Sequence, residues 1–327
     1  MGVFTALDDP ELATLATAFG LGAVGGCRPI AAGTINSNFE VTTASGAYFV
    51  RINEGKAELD VAWEARLVAA LADAGVATPA PLVAADGRPY APLGSALHKW
   101  VSVFPWRAGG HLDADEVTDH HAAQLGAALA RLHVAGLALP PAWRRGSIYD
   151  HDHLVSRYDR LALISDPQLA HAIAILGEEL ATITDGGALR RRATHGMIHG
   201  DLFRDNVLWA NASVAAILDF EQASGGSLAY DLAVCINDWC WDPRTAAPRC
   251  ALASALLAGY ENIRPLPDGD RLALPLEVRA AAARFTITRI TDVYLARVRN
   301  PEKDFRAFLA RVEAWRGPAL GQLTSAL

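Results

Sequence analysis

The feature that most constrains this chain is a polar loop enclosed by apolar segments. Residues 199–206 read His-Gly-Asp-Leu-Phe-Arg-Asp-Asn, and a further carboxylate, Asp219, follows the apolar run Val214–Leu218. Buried carboxylates cost several kcal/mol unless a cation or a hydrogen-bond donor meets them. The oxygens of Asp and Asn suit a hard divalent cation, most often Mg²⁺ that also holds substrate phosphates. The pattern therefore predicts short strands that present a cation-binding loop.

These motifs resemble the catalytic loop and the metal-binding Asp of kinases. Protein kinases have H-R-D-x-x-x-x-N followed by D-F-G. The second motif here is Asp219-Phe220-Glu221. His-Gly-Asp in place of His-Arg-Asp is typical of the aminoglycoside phosphotransferase superfamily, whose members phosphorylate small molecules. The alternative interpretation is a polar β-hairpin with a satisfied Asp cluster.

Several dispersed strings resemble the bacterial homoserine kinases of this superfamily, so that the likeness extends over most of the chain. Besides the loop itself, they are Asn36–Phe39, Tyr230–Ala233, Asn237–Cys240 and Arg284–Arg289.

The resemblance implies an α+β, two-lobed, protein-kinase-like fold. A small antiparallel β lobe, residues 1–104, would bind the nucleotide. A larger, mainly helical lobe, residues 105–327, would bind the acceptor and carry the catalytic loop. The length of 327 residues, 51% of them hydrophobic and 20% charged, suffices for two lobes with their own cores.

The resemblance also implies roles in an ATP- and Mg²⁺-dependent transfer to a hydroxyl group. Asp201 would accept or orient the hydroxyl proton, and Arg204 would neutralise the moving phosphoryl group. Asn206 and Asp219 would hold Mg²⁺. Two residues are expected to support the loop structurally, His199 and Asp231.

Acceptor-binding residues are predicted on the last helices. Asp238 and Trp239 offer a carboxylate and an aromatic face to a substrate ammonium group. A substrate carboxylate would be held by Arg289, with Arg284 as the alternative. Each of these charged residues is equally interpretable as an ordinary surface residue.

Independently of any family, one carboxylate lies on an apolar helical stripe. The range 57–74 has helical periodicity, and Glu64 falls on its inward face. A carboxylate there requires a cation. Arg51, in the preceding strand, is the nearest candidate, where kinases have a Lys that reaches the α- and β-phosphates. Lys56 is the second candidate, and a surface Glu is the alternative interpretation.

The remaining nucleotide contacts are predicted on the strands of the small lobe. Gly33, Ser37 and Asn38 lie where a small-residue loop could cover phosphates, although an ordinary hairpin has the same pattern. The adenine is expected against backbone near Val103 and Phe104, at the end of the strand predicted over 97–104, for which an edge strand is the alternative.

Charge and composition limit the partners. A net charge of −7 and a pI near 5.8 argue against a nucleic-acid partner. Apolar runs are too short for a membrane span, and the N-terminus lacks the pattern of a signal peptide, so a cytoplasmic location is expected. The four cysteines suit reduced thiols. The histidines at 120, 121 and 133 are expected to face solvent or to cap helices, and residues 150–153 to form an N-cap rather than a metal site.

Homoserine is the leading acceptor. Another amino alcohol, choline and an aminoglycoside are alternatives within the enzyme class, and a nucleotide-binding pseudokinase or scaffold is the alternative from another class. An aminoglycoside would require a strongly acidic pocket, whereas an acid near arginines suits a zwitterion. The sequence does not predict the oligomeric state.

Overall fold

The chain divides into two compact units. The computed structural model describes residues 5–30, 36–94, 99–298, 300 and 303–325. The first unit comprises Met1–Gly109 and Ala215–Glu221, and the second comprises Gly110–Val214 and Gln222–Leu327. The segment Ala215–Glu221 was expected in the second lobe, and the first unit extends five residues beyond the predicted boundary at 104.

The first unit is built on an antiparallel sheet of five strands in the order β1-β2-β3-β5-β4. Its strands are β1 (Val24–Ile30), β2 (Ser37–Thr43), β3 (Gly46–Asn53), β4 (Ala91–Leu93) and β5 (Lys99–Pro105). In this register Arg51 of β3 lies opposite Asn38 of β2 on one side and Ser102 of β5 on the other. The sheet thus places the strand cation at its centre.

Among its described residues, the first unit also contains the helices α1 (Asp9–Ala18) and α2 (Glu58–Asp73). The side chain of Asp8 caps α1, and Glu11 completes a capping box. The stripe predicted on α2 is buried, with Val61, Leu67, Val68, Leu71 and also Glu64 inside. The helix predicted over 57–74 is therefore confirmed.

The second unit is mainly helical, and short strands connect its helices. Its helices are α3 (Asp119–Ala138), α4 (His151–Leu161), α5 (Ala170–Asp185), α6 (Gly187–Arg190), α7 (Leu228–Trp239), α8 (Cys250–Glu261), α9 (Asp268–Arg289), α10 (Phe305–Trp315) and α11 (Pro318–Ser325). Its strands are β6 (His195–Ile198), β7 (Val207–Ala210), β9 (Ser224–Ser227), β10 (Trp241–Asp242) and β11 (Ala247–Pro248), and β8 (Ser213–Ile217) begins in it. The predicted α+β organisation, a small antiparallel sheet with a larger helical part, is confirmed.

Strand pairs β6–β9 and β10–β11 are both antiparallel. Strand β6 leads directly into the polar loop, and β9 leads into α7. The pairing of Ile198 with Ser224 therefore brings the start of the loop close to the start of that helix.

Two glycines let α3 and α8 pack backbone against backbone. A Cβ at Gly126 of α3 would overlap the carbonyl of Leu256 in α8, and a Cβ at Gly259 of α8 would overlap the carbonyl of Ala123 in α3. The close approach is reciprocal, so neither helix can accept even a methyl group without moving apart.

We expect Gly126→Ala to lower the free energy of unfolding by about 1–3 kcal/mol, because the added methyl group separates the two helices. Gly321→Ala is the matched control, since nothing lies within 4 Å of a Cβ at that helical position. The control should be neutral or slightly stabilising. Thermal unfolding of both variants measures the difference, and equal midpoints would contradict the predicted contact.

None of the helices in the described ranges combines the length and the apolar character that crossing a bilayer requires.

Candidate active site

A buried ion-pair network occupies the first unit. Nη2 of Arg51 lies 2.8 Å from Oε1 of Glu64, and Nζ of Lys56 lies 3.2 Å from the other oxygen, Oε2. The side chains of Arg51 and Glu64 are only 9% and 5% exposed. The helix carboxylate therefore holds both cations that the sequence proposed for it.

A second carboxylate, Glu221, joins the same network. It lies 2.8 Å from Nζ of Lys56 and 3.6 Å from Nη1 of Arg51, and it accepts a hydrogen bond from the amide of Asn36. Burial opposes the charge on Arg51, but the attraction of Glu64, Glu221 and Asp219 outweighs it and raises the pKa of the guanidinium. Burial likewise opposes the charge on Glu64, yet the two cations lower the pKa of its carboxyl.

Asp219 has a strained backbone. Its φ is +60°, a left-handed conformation that non-glycine residues rarely adopt. Its side chain is 46% exposed and lies 3.8 Å from Nη1 of Arg51. Such strain costs of order 1–3 kcal/mol and concentrates at functional sites. Asp219 thus combines an accessible carboxylate with a strained backbone two residues after β8.

The other predicted nucleotide residues have mixed outcomes. Gly33 lies outside the described residues. The hydroxyl of Ser37 donates to Glu54 at 2.7 Å and accepts the backbone N–H of Thr5 at 2.9 Å, and the residue is fully buried. We correct its predicted role, because its donor is already used inside the unit. Asn38 is half-buried beside Arg51 in the sheet.

Val103 and Phe104 lie in β5 with buried side chains. The carbonyl of Val103 accepts the backbone N–H of Leu82 at 2.7 Å. An adenine at this strand end would therefore require another backbone group. The backbone N–H of Trp106, just after the strand, does not meet this requirement, because it already donates to the carbonyl of Ala47 at 3.0 Å.

In the second unit, Asp231 anchors the polar loop. Its Oδ2 accepts the backbone N–H of His199 and its Oδ1 accepts that of Gly200, each at 2.7 Å. His133 contacts Oδ2 through Nε2 at 3.1 Å. Burial opposes the charge on Asp231, but the hydrogen bond and the charge of His133 lower the pKa of its carboxyl. The carboxylate thus holds the turn that precedes Asp201.

The prediction for His133 was wrong. The ring is fully buried, and its Nδ1 lies 2.8 Å from Oη of Tyr260. His133 follows Leu129 by four residues and therefore lies on the apolar face of α3. That spacing was the available signal for a buried histidine that supports the loop.

The loop itself is closed by its own amides. Nδ2 of Asn206 donates to the carbonyl of Asp201 at 2.7 Å, and the N–H of Phe203 donates to the same carbonyl at 2.8 Å. The bond leaves the amide oxygen of Asn206 facing the other way, and oxygen is the atom that a hard cation binds. The carboxylate of Asp201 is 29% exposed. The loop therefore fixes the backbone of Asp201 and leaves its side chain accessible.

Trp239 supports the loop rather than a substrate. It is fully buried, its Nε1 donates to the carbonyl of Leu202 at 3.0 Å, and its ring lies 5.8 Å from that of Trp209. A ring without exposed surface cannot meet an ammonium group. We therefore correct the prediction for Trp239.

Asp238 forms an ion pair with Arg204. Oδ2 of Asp238 accepts two hydrogen bonds from Arg204, one from the backbone N–H at 2.9 Å and one from the side-chain Nε at 3.2 Å. Asp238 is 9% exposed, and the side chain of Arg204 is 26% exposed. The acid thus fixes both the backbone and the side chain of an arginine in the loop.

Two further arginines pack on one aromatic ring. The guanidinium carbons of Arg289 and Arg311 each lie 4.4 Å from the ring centroid of Phe308. Nη1 of Arg289 donates to the carbonyl of Asp304 at 3.1 Å. Burial lowers the pKa of Arg289, and it lowers that of Arg311 to about 10. Burial therefore opposes the charge on both guanidinium groups.

Residues 150–153 form a helix start, as predicted. The side chain of Asp150 accepts the backbone N–H of His153 at 3.0 Å and caps α4. Within the ranges that the structure describes, no three His, Cys, Asp or Glu side chains converge in a metal-binding group.

A family model described as "Phosphotransferase enzyme family" matches residues 26–266. The chain belongs to this family. The homoserine kinase of Gluconacetobacter diazotrophicus is 34% identical over 295 residues, 89% of either chain. That of Methylobacterium radiotolerans is 34% identical over 294 residues, 89% of this chain and 88% of the relative. The resemblance to bacterial homoserine kinases is thus confirmed, and the protein is an ATP-dependent phosphotransferase with an alcohol group as acceptor.

The kinase-like fold of this phosphotransferase is confirmed by solved structures. The structure of an amicoumacin kinase in complex with AMP-PNP, Ca²⁺ and Ami superposes with a TM-score of 0.71 at 15% identity, covering 96% of this chain and 94% of the other. At that identity the likeness establishes the fold alone.

We expect Asp231→Asn to lower the free energy of unfolding by about 3 kcal/mol at neutral pH, because an amide nitrogen would oppose a backbone N–H. Since folding lowers the pKa of Asp231, its contribution is complete above the unfolded value of about 3.9 and declines as the pH falls through the folded value. Denaturant unfolding at pH 7, 5 and 3.5 should give a difference that shrinks only at the lowest pH. The exposed substitution Asp159→Asn is the control, and a difference independent of pH would contradict the assignment.

Proposed function

We propose that this phosphotransferase transfers the γ-phosphoryl group of ATP to the hydroxyl of L-homoserine. The observation that carries the proposal is the loop of the second unit. Asp231 and Asn206 fix its backbone, and the carboxylate of Asp201 stays accessible. The similarity to enzymes named homoserine kinase over about nine-tenths of the chain supports the acceptor.

Arg51 is the proposed partner of the α- and β-phosphates. Glu64 holds it, and its raised pKa keeps it cationic. Lys56 shares the same carboxylate and remains the alternative cation. We also keep Gly33 and Asn38 as proposed phosphate contacts, and we place the adenine near 103–104, at a backbone group other than the Val103 carbonyl.

Asn206 and Asp219 are the proposed Mg²⁺ ligands. Asn206 presents an amide oxygen because its nitrogen is occupied, and Asp219 presents an exposed carboxylate on a strained backbone. These oxygens fit a hard divalent cation. When bound, Mg²⁺ would neutralise phosphate charge.

Asp201 accepts or orients the proton of the acceptor hydroxyl as that oxygen attacks the γ-phosphorus. Phosphoryl transfer depends on positioning and charge neutralisation more than on covalent chemistry. Arg204, held by Asp238, supplies positive charge near this step. His199 supports the turn through its backbone.

The acceptor is proposed to be a zwitterion. Arg289 would hold its carboxylate, because a guanidinium can bind a carboxylate through two parallel hydrogen bonds. Asp238, which also holds Arg204, would meet its ammonium group. As an ATP-consuming enzyme of small-molecule metabolism, the protein is proposed to act in the cytoplasm.

An acceptor panel tests the substrate directly. Homoserine carries a hydroxyl, an amine and a carboxylate, whereas 3-aminopropan-1-ol lacks the carboxylate and 4-hydroxybutanoate lacks the amine. We expect kcat/KM for homoserine to exceed both by at least about 10²-fold, because each analogue lacks one of the two charged groups that the site is proposed to bind. Acceptor-dependent ADP release is the measurement. Faster turnover of choline or an aminoglycoside would contradict the acceptor, and ADP release independent of any acceptor would favour a binding module.

Asp201→Asn should lower kcat by about 10²–10⁴-fold and keep nucleotide binding, because it removes only the proton acceptor. Near-parental turnover would refute the role of Asp201.

Asn206→Ala and Asp219→Ala should instead raise the Mg²⁺ concentration needed for half-maximal rate, because each removes one proposed ligand. A metal titration with unchanged midpoint would refute these ligands.

A further inference from the structure

Arg284 of α9 is a buried guanidinium held between aromatic rings. Its Cζ lies 4.3 Å from the ring centroid of Tyr149 and 3.7 Å from that of Phe285, and the residue is 4% exposed. A planar guanidinium stacks on such rings, which a lysine ammonium does not do. The rings therefore fix the plane in which its nitrogens point.

This guanidinium has few polar partners for a buried charge. Its Nη1 lies 3.5 Å from Oδ1 of Asp201, and its Nε is buried with no hydrogen-bond partner among the described residues. Burying an arginine costs several kcal/mol unless ion pairs and hydrogen bonds compensate. A single long contact compensates poorly, so packing stability does not account for this residue.

The loop holds the backbone of Asp201 but does not orient its carboxylate, so the contact with Arg284 is informative. The backbone of Asp201 is held at its carbonyl by Asn206 and at its N–H by Nδ1 of His199, 3.3 Å away. Neither contact orients the carboxylate. Among the described residues, Arg284 is the cation that forms an ion pair with this carboxylate, at Oδ1, and the contact leaves Oδ2 for the acceptor hydroxyl.

We infer that Arg284 is a positioning residue that orients the Asp201 carboxylate for proton acceptance. The inference rests on the proposed role of Asp201 and adds a residue to it. Arg284 acts on the reacting hydroxyl only through Asp201, and its contacts with the rings of Tyr149 and Phe285 restrict the movement of its guanidinium.

The first test separates kcat from KM. Arg284→Met keeps the length of the side chain and removes its charge. We expect kcat to fall by about 10–10²-fold, with the KM values for ATP and homoserine unchanged within about threefold, since an imprecisely placed group loses rate rather than binding. Arg284→Lys should recover only part of the rate, because a lysine keeps the charge without the stacked plane.

Tyr149 offers matched controls for the stacking. Tyr149→Phe keeps the ring and should keep kcat, whereas Tyr149→Leu removes the ring and should lower kcat in the same direction as Arg284→Met.

Thermal unfolding midpoints distinguish a positioning role of Arg284 from a merely structural one. Arg284→Met replaces a poorly compensated buried charge, so its midpoint should equal or exceed that of the parent. A lowered midpoint together with raised KM values would overturn the inference.

A double-mutant cycle decides whether Arg284 acts through Asp201. In the Asp201→Asn background, Arg284→Met should cause no further loss, because the group that it orients is gone. Additive losses would overturn the inference and indicate direct contact with the phosphoryl group. If Asp201→Asn alone retains the parental rate, the proposed function fails rather than the role of Arg284.

The last test compares homoserine with its analogue that lacks the carboxylate. Arg284→Met should lower turnover of homoserine and of 3-aminopropan-1-ol by the same factor. A loss confined to homoserine would overturn the inference, because it would make Arg284 a clamp for the acceptor carboxylate.

Discussion

The second unit depends on one buried carboxylate that accepts two consecutive backbone N–H groups. Asp231 holds the amides of His199 and Gly200, each at 2.7 Å. A carboxylate that accepts two amide hydrogens fixes the direction of the chain as well as its position, since both bonds must stay short together. Gly200 has φ +77°, which only glycine adopts without strain. The conformation of the turn before Asp201 is thus determined by Asp231 and a glycine.

The first unit buries several charged side chains together. Two cations, Arg51 and Lys56, alternate with two carboxylates, Glu64 and Glu221, so that each buried charge has opposite charges on two sides. Such a network tolerates desolvation better than an isolated pair does. It also keeps both cations rigid, which lowers the ordering cost of binding a polyanion.

Local patterns predicted the loop, the helix over 57–74 and the pairing of Glu64, because each depends on spacing within a short segment. Contacts between distant segments were harder to predict. Glu221 ends the Asp219-Phe220-Glu221 motif, and the motif alone does not indicate that its carboxylate pairs with Lys56. Trp239 was assigned from a family string, which does not show that its ring faces the core. His133 was missed although its helical spacing placed it inside, because polarity was weighed above periodicity.

The charged side chains of the second unit favour a zwitterionic acceptor over a polycationic one. Asp238 already holds Arg204 of the loop, and Arg289 of α9 and Arg311 of α10 both lie against the ring of Phe308. A polycationic acceptor would bring more positive charge to arginines whose pKa burial has already lowered. A zwitterion brings an anion with its cation, so its carboxylate offsets part of that cost while its ammonium group meets the acid. These arginines would then contribute to acceptor discrimination, because an analogue without the carboxylate lacks the group that they are proposed to bind.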